Sequence, residues 1–144
     1  MPRYTTTVAS PKPADEVFAY LSDFATAAEW DPGVARAERL TEPPVRVGTE
    51  VEIVARFLGR EVPLVYVVEE LEAPRRVLLR GENGTTLSVD EIVVEPDGTG
   101  CRVTYDARLT LKGPLRLADP VLALLFRRIG DAAAQGLREA LGTP

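Results

Sequence analysis

The chain has 144 residues, of which 45% are hydrophobic and 27% charged, with no histidine and one cysteine. That length fits one domain spanning residues 1–144, and the ordinary composition excludes disordered and fibrous architectures. A formal net charge of −5 argues against a nucleic-acid partner, which needs a basic face.

Residues 3–9 alternate weakly and read as a first strand. The segment Ser10-Pro-Lys-Pro-Ala-Asp-Glu-Val-Phe-Ala-Tyr-Leu follows. Its early prolines and its Asp15 and Glu16 are helix-start signals, because unpaired N–H groups and the helix dipole favour acids there. A second short helix is expected over residues 24–30, ending before the turn sequence Asp31-Pro32-Gly33.

Six strands then follow one another, over 34–40, 49–57, 61–71, 76–81, 85–95 and 101–112. Turn-rich stretches separate most of them, among them Leu58-Gly59-Arg60, Glu72-Ala73-Pro74, Glu82-Asn83-Gly84 and Pro96-Asp97-Gly98, as antiparallel hairpins require. In the last strand Cys101, Val103, Tyr105, Ala107, Leu109 and Leu111 alternate with polar residues, so one face is buried and the other wet. The chain closes with a long helix from Asp119, a suitable N-cap, to about Leu141. About 22 residues would reach about 33 Å, long enough to cross the sheet. Leu122, Phe126, Ile129, Ala133, Gly136, Leu137 and Ala140 share its apolar stripe. Strands and helices segregated in this way mean an α+β fold. One curved antiparallel sheet of about seven strands wrapped around the last helix buries both apolar faces.

The lone Cys101 excludes an internal disulfide and a thiolate zinc cluster. Without histidine there is no Ser-His-Asp triad, no Cys-His pair and no imidazole metal site, so neither a metal nor a cofactor is expected. Gly98-x-Gly100 lacks phosphate-loop spacing and a lysine. Residues 1–10 lack the apolar stretch of a secretory signal. The longest apolar runs, 62–68 and 121–126, fall far short of a membrane span, so a cytoplasmic protein is expected. Arginine outnumbers lysine fifteen to two, which suggests a GC-rich bacterial genome.

Val17-Phe-Ala-Tyr-Leu-Ser-Asp-Phe, Trp30-Asp-Pro-Gly-Val, Gly98-Thr-Gly-Cys-Arg-Val-Thr-Tyr and the terminal helix resemble the polyketide cyclase/dehydrase branch of the START-like (SRPBCC) superfamily. The resemblance implies a helix-grip fold with a deep apolar cavity between sheet and C-terminal helix. Members of that superfamily include lipid carriers, hormone and quinone binders, and polyketide cyclases or aromatases. It also implies that Trp30 lies near the cavity mouth. Arg80, ahead of a Glu-x-Gly turn, takes the place of an arginine thought to hold the enolate of a folded polyketide.

The candidate ligand-binding residues are therefore Trp30, Phe57, Tyr66, Arg80, Tyr105, Phe126 and Ile129. Val103 and Ala107 are expected beside Tyr105 in the cavity wall, and no catalytic residue is assigned. Strand parity groups Arg80 with Arg76 on the outer face, against the resemblance, unless a bulge between Val77 and Gly81 flips the phase. The direction of Tyr66 stays open because both faces of its strand are apolar. Glu91 points inward if it keeps phase with Leu87, Val89 and Val93, or outward if a bulge returns it to solvent. Ala133 and Gly136 leave room under the helix or let it approach closely. Two functions follow. One is binding of a hydrophobic or aromatic, lipid- or polyketide-like small molecule by a monomer or homodimer. The other is a polyketide cyclase or aromatase-dehydratase in which Arg80 and Tyr105 polarise carbonyls.

Overall fold

A computed structural model describes residues 3–57, 59–114 and 119–142. Strand β1 (Arg3–Ser10) leads into helix α1 (Ala14–Ser22), a 3-10 turn (Phe24–Thr26) and helix α2 (Ala27–Trp30). Six strands follow: β2 (Val34–Arg39), β3 (Glu50–Phe57), β4 (Arg60–Glu72), β5 (Arg76–Glu82), β6 (Thr86–Asp97) and β7 (Gly100–Leu111). Helix α3 (Asp119–Leu141) ends the fold. The cap expected of Asp119 and the inward side chain expected of Leu122 lie outside what is described.

All seven strands form one antiparallel sheet in the order β1-β7-β6-β5-β4-β3-β2. The two short helices therefore carry the chain from one edge of the sheet to the other. The core lies between the sheet's inner face and the helices, with Val8, Leu21, Leu79, Ile92, Val103 and Leu137 almost fully buried. Cys101 takes its place there as a small core residue. Burial of this kind is worth about 1.5–3 kcal/mol for each large apolar side chain.

Helix α3 packs against β1 and α2, and close contacts hold it there. The Tyr4 ring lies flat against Gly130, where a Cβ would sit 2.4 Å from the ring. Its hydroxyl donates to Asp131 at 2.7 Å. At the far end the Ser10 hydroxyl donates to the Leu141 carbonyl at 2.8 Å, satisfying one of the carbonyls a helix C-terminus leaves unpaired. Gly136 is a close approach and not open space: a Cβ there would meet the Trp30 carbonyl oxygen at 1.8 Å. Among the described residues no helix is long and apolar enough to cross a membrane.

The outer face of the sheet carries the charges. Arg76 reaches Glu70 and Glu72 at 2.8 Å and Glu91 at 2.6 Å, joining β4, β5 and β6. Asp106, expected wet by parity, is buried on that face under Arg3, which donates to both its oxygens at 3.0 and 2.9 Å. Burial alone would push the Asp106 carboxyl up, but the Arg3 hydrogen bonds and charge hold it below the usual range.

Candidate functional site

A cavity of about 440 Å³ lies between the inner face of the sheet and α3. Its size is that of an ordinary small-molecule pocket. Phe126 and Ile129 of α3 form one wall, and Ala107, Leu109 and Leu111 of β7 form the other. Trp30, Phe57, Tyr66 and Tyr105 also line it. Val103, expected in this wall, is sealed in the core at 0% exposure, because the cavity opens only from Tyr105 onward along β7.

The aromatic residues interlock. Phe24 meets Tyr66 edge to face at 4.9 Å between ring centres, and Trp30 meets Tyr105 at 5.6 Å. The orientation of Tyr66 is settled by Gly81, its direct partner across β4 and β5. A Cβ on Gly81 would stand 2.6 Å from the Tyr66 ring, so the missing side chain lets the phenol lie over the sheet on its inner side. The Trp30 indole N–H is buried with no hydrogen-bond partner among the described residues.

The polar floor of the cavity comes from β6. Ser88 and Asp90 are buried there, with the Ser88 hydroxyl donating to Asp90 Oδ1 at 2.7 Å. The Tyr105 hydroxyl donates to the other Asp90 oxygen, and Ser88 also sits beside the Tyr66 phenol. Burial pushes the Asp90 carboxyl up to about 6; the hydroxyls of Tyr105 and Ser88 oppose that, and the charge on Asp31 adds to it. Asp31, also in the cavity wall, accepts from the Gly33 N–H at 2.8 Å and is likewise pushed up to about 6 by burial. Burial and the nearby carboxylate of Asp90 hold both tyrosine phenols well above their ordinary value. Arg56 is the one basic residue in this wall among the described residues; it is exposed at the rim and donates to the Pro32 carbonyl at 3.0 Å. Among the described residues no group of three or more potential metal ligands gathers.

A family model described as polyketide cyclase / dehydrase and lipid transport matches residues 1–142. The chain belongs to that family. No curated protein matches it. Among solved structures it is similar to a protein from Thermus thermophilus, at 20% identity, covering 97% of each chain with a TM-score of 0.80. It is also similar to the Zhui aromatase/cyclase from a Streptomyces species, at 16% identity over 97% of this chain and 93% of that one (TM-score 0.79). A STAR-related lipid transfer protein from Xanthomonas axonopodis matches at 18% identity over 98% and 86%, with a TM-score of 0.71. Identities of this size speak for the START-like, helix-grip fold alone.

In this member of the polyketide cyclase/dehydrase and lipid transport family, six of the seven candidate residues surround one cavity. Arg80 does not. It lies on the outer face, exposed, with Glu82 at 3.9 Å. The register of β5 explains this: Val77, Leu79 and Gly81 face inward, and no bulge interrupts the pairing of β5 with β6. Glu91 also faces outward, bound to Arg76, and again without a bulge, since β6 pairs with β7 in unbroken register. The inward carboxylate is its neighbour Asp90. Sequence reading missed Asp31, Ser88 and Asp90. Asp31 carried a signal, standing between Trp30 and Pro32 in a stretch read as a turn and as part of the family resemblance, with no role given to the acid.

Proposed function

We propose that this protein encloses a hydrophobic or aromatic small molecule between its sheet and α3. The observation that carries this reading is the cavity of about 440 Å³, walled mostly by apolar and aromatic side chains. Protein interiors ordinarily close such spaces, because each unfilled volume forfeits packing contacts. Membership of a family described by polyketide cyclisation, dehydration and lipid transport supports the same class of ligand.

A neutral apolar fluorophore, N-phenylnaphthylamine, tests it. Its emission is expected to rise on binding to the parent protein and not to Ala133→Leu, which fills the cavity from the helix side. Equal enhancement in both, or none in the parent with an unaltered fold, would overturn the reading.

A second reading, a cyclase or aromatase-dehydratase, loses Arg80 as the group that polarises a carbonyl. It keeps one specific observation: Asp90, held near 6 by burial, hydrogen-bonded to Tyr105 inside the cavity. A carboxyl poised in that range suits general acid–base work. Turnover of an aromatic poly-β-ketone mimic by the parent, abolished in Asp90→Asn, would establish it; no turnover would remove it for that substrate class.

A further inference from the structure

We infer that the cavity selects ligands with a cationic, hydrogen-bond-donating head, an amine attached to an apolar or aromatic body, and rejects carboxylates, with Asp31 and Asp90 as the selecting groups. The inference rests on the binding reading above and adds the chemistry of the ligand's polar end.

Two aspartates from unconnected elements, the turn after α2 and the middle of β6, line the same cavity. They lie close enough that the charge of one raises the other. Among the described residues neither has a cation as partner. Asp90 is held by the hydroxyls of Ser88 and Tyr105, and Asp31 by a backbone N–H. Other acids of the chain found arginines: Asp106 has Arg3, Glu91 has Arg76, and Asp23 has Arg39. The two in the cavity stand in its apolar wall with no countercharge among the described residues, and burial there raises their affinity for protons.

Two like charges facing one low-dielectric space set the sign of the field inside it. An anionic head entering there would lose its hydration and meet repulsion from both acids. An ammonium would supply the missing countercharge and donate to carboxylate oxygens. The rings of Trp30, Tyr66 and Tyr105 in the same wall add faces that attract a cation. The Arg56 guanidinium does not reverse the field, because it is exposed at the rim and turned to the Pro32 carbonyl.

The test uses three probes with one ring system and different heads: naphthylethylamine, naphthylethanol and naphthylacetate. Their affinities are measured at neutral pH by calorimetry and by displacement of N-phenylnaphthylamine. The amine is expected to bind at least about tenfold tighter than the alcohol, with the carboxylate weakest. Asp31→Asn and Asp90→Asn, made separately in case one fails to fold, should each narrow the gap between amine and alcohol. Equal binding of all three heads, or a preference for the amine that survives both substitutions, would overturn the inference and leave the binding reading standing. Failure of all three probes and of the fluorophore would overturn both.

Discussion

Asp90 is the residue at which local pattern and final structure diverge most. On β6 the apolar residues Leu87, Val89 and Val93 lie on the outer face, half-buried, while Ser88 and Asp90 face in. A rule that sends apolar side chains inward fails on the first half of this strand, where Ser88 and Asp90 border the cavity, and holds on the second, where Ile92 and Val94 enter the packed core. On β7, where Tyr105 keeps the apolar phase, the same rule holds. Arg80 also obeyed it, and only analogy with other sequences argued otherwise. The folded protein binds the Asp90 proton more tightly than the unfolded chain, whose carboxyl titrates near 3.8. This contribution to stability is therefore fully present below about 3.8 and is lost as pH rises through about 6. Asp31 adds in the same window, whereas Asp106, held low by Arg3, loses its contribution only at more acid pH. Asp90→Asn should therefore remove part of this dependence. Relative to the variant, the parent should lose roughly 2 kcal/mol at most between about pH 4.5 and pH 7.5. Parallel melting profiles for the two proteins would refute this. Arg80→Met, on the outer face, should change stability by no more than about 0.5 kcal/mol and leave fluorophore binding intact.

Helix α3 shows what an element's own periodicity tells and what it leaves out. Its length and its inner stripe were legible, since Phe126, Ile129, Ala133 and Leu137 recur at helical spacing and all line the cavity. The role of its glycines was not, because a glycine in a stripe says nothing about what stands opposite. Gly136 faces the Trp30 carbonyl and Gly130 faces the Tyr4 ring. Gly136→Ala should improve intrinsic helix propensity by about 1 kcal/mol. The added carbon would nevertheless sit 1.8 Å from a backbone oxygen that cannot swing aside as a side chain can. Overpacking should prevail, with a net loss of about 1–3 kcal/mol readable by urea denaturation. A variant as stable as the parent would mean that α3 slides along β1 without cost.

Across the whole molecule, the order of elements was readable because most strands end in turn chemistry and the first and last helices begin with helix-start residues. The cavity was readable only as an expectation, since its volume depends on contacts such as Tyr66 over Gly81 that no single segment specifies. Filling it should therefore separate stability from binding. Ala133→Leu adds apolar contacts in an unfilled space, so its melting temperature should match or exceed that of the parent while fluorophore uptake falls. A large drop in melting temperature would show that the space is already shaped by its walls too tightly to be filled.

The pairing of β1 with β7 sets a timetable for synthesis. Arg3 and Asp106 meet across 103 residues, so within this sheet the first strand made waits for the last. At 5–20 residues per second that wait is roughly 5–20 s. At its end β6 stands with one open edge until β7 follows, and the inner face has no α3 to cover it. Nascent chains halted before residue 100 should accumulate as aggregates or chaperone clients and not as a smaller folded domain.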